Sequence, residues 1–494
     1  MNNKELDKLL QTCEQEQLHL SGMIQPFGSI IVINENNLII THVAENINEF
    51  INFSVDELLG KRIETLLPNW MNYFKLLDEK LDHPYVYQKI KDENIYLKIS
   101  KTDDNFIVDI QKISQKAKEK VLNRDMNELY ITPDSEESYK DYLQTYMQMV
   151  SETINFDRIM LYQFQDDWSG KVVAEKILSN SYGSYLDLRF PASDIPKIAR
   201  ELYVLNPSRI IADTKAKNVD IIALPKNIPD LTYSDTRSVS PVHIEYLKNM
   251  GVESSFSIPI IISNKLWGLL ACHNFKKKLL DPITKNAAIE ETKLFSLGIQ
   301  NYLAKEKLNY IDLIEHKVND IADLIINKGL IEDEIMKNQN RFLNLISSDG
   351  FILVIDNHIT SFGNLPDNNS FIYLDNTFMS NTEISLVSNS ISNELFEDNH
   401  YLGPAGVLGI KLRINNHDVR SYWFRNEFIE ELHWAGNPNK PVIENAGALQ
   451  LSPRRSFEEF IEIKRGFSKK FTTLEISAGL KFANTFFRYL VKEK

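Results

Sequence analysis

The sequence predicts an α+β protein built from several small mixed domains with antiparallel sheets, joined by a long helical spine. Three observations predict it. The chain has 494 residues, beyond the roughly 250–300 at which one hydrophobic core stops growing, so two to four domains are expected. Paired apolar runs around short polar turns recur, which is the pattern of β-hairpins. A run of apolar residues at spacings of three and four, Ile311, Ile314, Val318, Ile321 and Ile325, marks a long helix.

The first segment runs to about Lys120. Ser29 to Ile33 and Leu38 to Val43 flank Asn34-Glu35-Asn36-Asn37 and read as a hairpin. Ile95 to Ile99 and Phe106 to Ile110 repeat the pattern around Thr102-Asp103-Asp104-Asn105. Between them, Ser54 to Leu67 reads as helical, with Ser54 and Glu57 placed to form a capping box.

The second segment spans about 125–304. Arg158 to Phe164 and Lys171 to Ile177 read as strands, and Ser255 to Ile262 with Leu266 to Asn274 as a hairpin around Ser263-Asn264-Lys265. Between these lies Gly183 to Asn249, rich in Pro, Arg, Asp, Ser and His. Connections of that length inside a domain are usually functional.

A helix is expected from about Ile283 to Asn327. Its 311–325 stripe, extended backwards by Leu297 and Ala304, resembles a coiled-coil seam; the same spacing also suits a helix packed on its own domain. The third segment, within 305–494, carries strands at Phe351–Ile355, Val407–Ile414 and Ser421–Phe428, and a helical tail from Leu474. Residues 432–461 show weak periodicity of either kind.

Hydrophobic residues make up 43% and charged residues 25% of the chain, with 55 Lys and Arg against 68 Asp and Glu, a net charge of −13. That balance argues against nucleic acid or an anionic membrane as a partner. No secretory signal and no run of about 20 apolar residues is present, so a cytoplasmic protein is expected. Cys13 and Cys272 are the 2 cysteines; they make neither a disulfide framework nor a zinc spacing. No P-loop, nucleophile elbow, HExxH or dinucleotide fingerprint occurs, so no catalytic domain is expected.

Candidate chemistry gathers in the second segment. Arg209 and Arg237, with Ser240, His243, Tyr246, Ser255 and Ser257 nearby in sequence, suit a ligand carrying carboxylates; surface arginines and structural serines are the plainer alternative. In Asp194-Ile195-Pro196, proline keeps Ile195 out of the helical region. That holds the Asp194 carbonyl where a ligand NH can reach it, and it also suits a helix start with Asp194 capping and Pro196 near the first helical position. Cys13 is followed by Glu14 and Glu16, which raise a thiol pKa, so its reactivity must come from elsewhere in the fold. Cys272 sits in an apolar strand and reads as core.

Taken together the motifs resemble a bacteriophytochrome photosensory core, three mixed domains in the order PAS (1–120), GAF (125–304) and PHY (305–494). Cys13 followed by His19, Gly22 and Ile24-Gln25-Pro26-Phe27-Gly28 is similar to that family's chromophore-linking segment. Phe156-Asp157-Arg158, Arg189-Phe190-Pro191-Ala192-Ser193-Asp194-Ile195-Pro196, Arg237 to Leu247 and Trp267 to His273 resemble its GAF domain. Trp434-Ala435-Gly436 and Pro453-Arg454-Arg455-Ser456-Phe457 resemble the tongue of the PHY domain, at about 432–461.

The resemblance implies a red/far-red photoreceptor holding biliverdin, a linear tetrapyrrole, by a thioether at Cys13. It implies that the Asp194 carbonyl and a water near His243 bind pyrrole NH groups. Arg209 and Tyr203 would hold one propionate, and Arg237, Ser240, Ser255 and Ser257 the other. His273 would bond the D-ring carbonyl, and Tyr162, Phe190 and Tyr246 would wall that ring, with Ile195 and Pro196 alongside the pigment. Arg454 would pair with Asp194 in one of two signalling states, Trp434 and Ser456 belonging to the same tongue. Val242 stands where relatives that use a different bilin linkage carry cysteine. A homodimer and a two-component partner or output module are implied; a non-photoactive PAS–GAF small-molecule sensor is the alternative. Phe27, Asp187, Phe256 and Phe460 depart from the family pattern.

Overall fold

A computed structural model describes residues 17–78, 84–90, 93–102, 104–113, 125–178, 183–328, 332–396, 401–414, 417–438, 442–445, 448–451, 454 and 456–492. Two compact units emerge, one of residues 1–302 with 433–460, the other of 303–432 with 461–494.

The first unit contains two sheets. In the first, the expected hairpins form: Gly28–Asn34 pairs with Ile40–Ala44, and Glu93–Thr102 with Asn105–Lys112. Strand Tyr85–Ile90, which the sequence reading misses, adds an edge; its apolar residues are half-exposed, so no buried run announces it. Alternate residues of Gly28–Asn34 serve two cores: Ile31 and Ile33 face one, Ile30 and Val32 the other. The expected helix over 54–67 is two short ones, Val55–Leu58 and Ile63–Leu66, separated at Gly60, whose φ of +77° breaks the helical path. The Ser54–Glu57 capping box forms.

A strand from the second segment's long connection, Val219–Ala223, completes this sheet between Ile40–Ala44 and Met23–Ile24. The connection therefore is not a surface loop. It is pinned by backbone pairing that no local periodicity encodes.

The second sheet runs Arg209–Ile211, Ser254–Ile262, Lys265–Asn274, Arg158–Phe164, Gly170–Ile177, Arg189–Phe190, then the strands Glu430–Ala435 and Glu459–Lys464, of which residues 433–435 and 459–460 belong to this unit. Its outer face packs on helix Glu136–Ile154 and on the first turns of helix Pro282–Lys328. Tyr146 stacks on Phe295 at 3.9 Å between centroids, and its hydroxyl bonds Thr292 Oγ1 at 2.8 Å, so the buried phenol is satisfied. Cys272 is fully buried in this core, where burial pushes its thiol pKa well up. The 432–461 stretch, expected to favour neither helix nor strand, is described as strand at Glu430–Ala435, Val442–Asn445, Ala448–Leu451 and Glu459–Lys464. The strand expected at Ser421–Phe428 is His417–Arg425.

The second unit is a five-stranded antiparallel sheet, His358–Gly363, Gly350–Ile355, His417–Arg425, Gly406–Ile414 and Ser385–Ser388 in spatial order. Helix Thr473–Lys492 packs on one face, with core from Phe351, Trp423 and Phe482; helix Asn368–Ser380 packs on the other. The coiled-coil reading of the long helix is corrected for 314–325. Ile314, Val318, Ile321 and Ile325 are buried in this unit's own core, while Leu297 and Ala304 are exposed. The apolar stripe already has a partner, the sheet, so it has none to offer a second helix. Among the described residues no helix is long and apolar enough to cross a membrane, and no group of three or more metal-ligating side chains converges.

Candidate functional site

A cavity of about 420 Å³ opens in the first unit, inside the size range of small-molecule sites. It is lined by Tyr162, Phe190, Asp194, Ile195, Pro196, Tyr203, Arg209, Arg237, Ser240, His243, Tyr246, Ser255, Ser257 and His273, fourteen of the fifteen ligand-binding residues expected from sequence. The fifteenth, Cys13, lies outside the described residues. Leu18, five positions on, lines the cavity.

The floor is the sheet. Register places Ser255 opposite His273, and His273 opposite Arg158, on three adjacent strands. Arg209 lies opposite Ser257, whose hydroxyl shares a 2.7 Å hydrogen bond with Tyr203. Ser257, grouped with Arg237 by the resemblance, thus sits with Arg209 and Tyr203. The roof comes from the long connection. Ile195 has φ −125° and ψ 85°, outside the helical region, and Pro196 caps helix Lys197–Leu205. The proline starts a helix, with Pro196 itself and not Asp194 as the cap, and it keeps the preceding residue out of the helical region. A second helix, Pro241–Asn249, carries His243 and Tyr246, which stack at 5.9 Å.

The N-terminal segment is tied to this wall. Gln25 Nε2 donates to Ile210 O at 2.9 Å and Arg237 O at 3.2 Å, and Gln25 N donates to Thr236 O at 2.7 Å.

The electrostatics favour an anionic, hydrogen-bonding guest. Arg209 Nη2 donates to the carbonyls of Arg237 and Ser238 at 2.6 and 2.8 Å. Burial pushes the Arg209 guanidinium pKa down to about 10; burial, and then Arg209 itself, push that of Arg237 down to about 9. Two neighbouring cations, Arg237 buried and Arg209 half-buried, call for carboxylates. Four polar atoms of lining residues are buried with no partner among the described residues: Tyr162 Oη, Asp194 Oδ1, Arg209 Nη1 and His273 Nδ1. Such atoms are rare in folded proteins and each wants an explanation. Burial, with Arg158 and His243 adding to it, pushes His273 down to about 3, so its imidazole is neutral at physiological pH. A guest with two carboxylates and several ring NH and carbonyl groups fits this donor and acceptor set.

None of the three expected signalling residues lines the cavity; Arg454 and Trp434 reach residues at or beside its wall. Arg454 is buried and forms an ion pair with Asp194 Oδ2, the two side chains 2% and 3% exposed. It also donates to Ala435 O and lies 5.7 and 5.2 Å from the rings of Phe190 and Phe457. Tyr246 donates to the same Asp194 oxygen at 3.1 Å. Trp434 pairs in parallel with Arg189. Ser456 is exposed, and its hydroxyl accepts from Glu458 N at 3.4 Å.

Sequence reasoning missed two features. Arg200, four residues past Pro196, folds back to donate to Ile195 O at 2.6 Å and stacks on Trp168 at 4.6 Å; its helical offset from the proline was a usable signal. Beside Arg237, Asp235 is clamped by Lys98, at 2.6 Å, and by Lys285, all three nearly fully buried. Burial opposes ionisation of Asp235, but the two lysines outweigh it and hold its carboxyl well below the usual range. Separations of 137 and 50 positions hide that triad from any local reading.

The chain matches the family models of the PAS fold over residues 13–112, the GAF domain over 139–288 and the phytochrome region over 315–494. It is 28% identical to cyanobacterial phytochrome A of Nostoc sp., covering 97% of this chain and 65% of that protein. It is 26% identical to the bacteriophytochrome of Pseudomonas aeruginosa, covering 96% and 65%. The chain therefore spans just under two thirds of these relatives' length. The photosensory core module of Stigmatella aurantiaca phytochrome superposes with a TM-score of 0.80 at 25% identity, covering 97% of this chain and 98% of that one. A bacteriophytochrome of the photosynthetic bacterium R. palustris shares the fold, with a TM-score of 0.81 at 24% identity over 98% and 99%. With PAS, GAF and phytochrome regions in that order and phytochromes as its relatives along the whole chain, the protein belongs to the phytochrome family.

Proposed function

We propose that this chain is the light-sensing core of a red/far-red photoreceptor, holding a bilin, biliverdin in particular, in the second domain's cavity with a thioether to Cys13. The observation that carries the reading is the convergence in that cavity of a buried arginine, Arg237, a half-buried one, Arg209, and four buried polar atoms without partners among the described residues. Leu18 on its wall supports the link: five residues of extended chain reach roughly 17 Å, so Cys13 is within range.

When bound, a bilin supplies a conjugated system that absorbs red light and a bridge that isomerises. The chain's own groups do the rest. Arg209 and Arg237 orient the guest through its carboxylates. Neutral His273 offers a hydrogen bond without a competing charge. Tyr162 and Phe190, 6.0 Å apart between centroids, wall the same end of the cavity and limit ring movement there. Asp194 joins that wall to Arg454, so a changed fit at the wall changes the hold on the Trp434 and Arg454 segments. A few kcal/mol of differential contact is what shifts a bistable element. Val242, at the cavity and 46% exposed, has no thiol to compete with Cys13.

The test is direct. Protein loaded with biliverdin is denatured and examined for zinc-induced fluorescence on the polypeptide, then illuminated for a red/far-red difference spectrum. Wild type is expected to give both, and Cys13→Ala to lose the covalent signal. Covalent fluorescence without a difference spectrum would favour the alternative, a small-molecule sensor that does not respond to light.

A further inference from the structure

We infer that Gly170 is a positioning residue for the light-driven step: it provides the space in which the Tyr162 ring lies, and so sets the clearance at the Tyr162–Phe190–His273 end of the cavity. The inference rests on the function proposed above and deepens it.

Gly170 is buried and has an ordinary backbone φ, so conformational freedom does not require a glycine here. Space does. An ideal Cβ at residue 170 would fall inside the Tyr162 ring, overlapping Cζ, Cε1 and Oη. The register explains the encounter. A bulge between Leu161 and Tyr162 shifts the pairing of Arg158–Phe164 with Gly170–Ile177, leaving Gly170 opposite Phe164 on one side and Phe190 on the other. The Tyr162 ring leans across the neighbouring strand into the gap that Gly170 leaves.

The other directions are closed. Phe164 meets the ring edge-on at 5.2 Å and Phe190 lies at 6.0 Å, and fully buried Ala435 belongs to the same cluster. A methyl group at 170 therefore drives the ring, whose buried hydroxyl lies in the Gly170 gap without a partner among the described residues, towards the cavity that Tyr162 lines. Close-packed interiors transmit such a displacement rather than absorb it.

The test is a double-mutant cycle of Gly170→Ala and Tyr162→Ala, read first by thermal denaturation of the protein without pigment and then by the light-induced difference spectrum after biliverdin loading. Gly170→Ala alone is expected to lower Tm by roughly 2–10 °C through overpacking and to lose most of the difference signal. In the Tyr162→Ala background, the same change is expected to cost almost nothing in Tm, because the ring it collides with is gone. If Gly170→Ala fails to fold, recovery of folding in the double variant supports the inference. Equal losses in both backgrounds, or a Gly170→Ala protein that matches wild type, would overturn it. A wild type that takes up no biliverdin would instead defeat the functional reading, and the cycle on the pigment-free protein would still decide the role of Gly170.

Discussion

Arg454→Ala is expected to release the Trp434 and Arg454 segments from the cavity wall without unfolding the domain. In the folded protein, Arg454 meets Asp194 Oδ2, Ala435 O and two aromatic rings. Its own carbonyl accepts from Asn249 Nδ2 at 3.1 Å. Removing the guanidinium leaves the Asp194 carboxylate, 3% exposed, with the Tyr246 hydroxyl still donating to Oδ2 and with Oδ1 unpartnered among the described residues. Stranding one member of a buried ion pair costs about 3–5 kcal/mol. Local opening escapes that cost, because it lets water reach Asp194. At about 1.4 kcal/mol per tenfold, the open population rises by roughly two to three and a half orders of magnitude. Hydrogen–deuterium exchange measures it. Peptides containing Gly436, whose N–H is bonded to Glu458 O at 2.8 Å, are expected to exchange faster, while peptides around Tyr146 and Phe295 in the main core hold their rate. Arg454→Lys falls between, since one ammonium cannot match the guanidinium's several directed donors. The paired change Asp194→Asn with Arg454→Met recovers most of the protection. Unchanged exchange at Gly436 in Arg454→Ala would refute the reasoning, because the buried carboxylate would then cost nothing.

Three further outcomes are expected. Asp235→Asn strips the counter-charge from Lys98 and Lys285, 4% and 5% exposed, and is expected to lower Tm by roughly 6–15 °C. Asp109 behaves oppositely: burial and then Asp235 raise its pKa, so Asp109→Asn is expected to be tolerated or stabilising at pH 7, read in the same melts. In the pigment-free protein, His273 has its pKa lowered to about 3, so its stabilising contribution is complete above about pH 6.5 and is lost as pH falls towards 3. Between pH 6.5 and 5 wild type is expected to lose about 2 kcal/mol more than His273→Gln, measured by urea unfolding; parallel pH profiles would reject this. In Cys13→Ala the remaining thiol, Cys272, is buried in the core, so reaction with a disulfide reagent is expected only on unfolding, and rapid labelling of the native variant would contradict the packing.

Much of this protein was legible in its sequence because the relevant signals are local. The hairpins at 28–44, 93–112 and 254–274 announce themselves by apolar runs around polar turns, and both flanks of each turn pair as the runs imply. The Ser54–Glu57 cap and the Pro196 helix start depend on residues within a few positions. The family resemblance named the cavity's lining, since those residues lie in or near four motif-bearing stretches, about 156–162, 189–209, 237–257 and 267–273. What only the tertiary structure decided involves partners far apart along the chain. The stripe at 314–325 has one periodicity whether it faces a second helix or a sheet, and only the sheet's presence assigned it to the domain core. Val219–Ala223 joins a sheet begun nearly two hundred residues earlier, through backbone bonds to which its side chains give no clue. The Asp235 triad and the Gly170–Tyr162 contact likewise exist only once separate strands are brought side by side. Local sequence sets conformational preference; which surfaces meet is a property of the whole fold, because burial and pairing energies are shared among residues the chain keeps far apart.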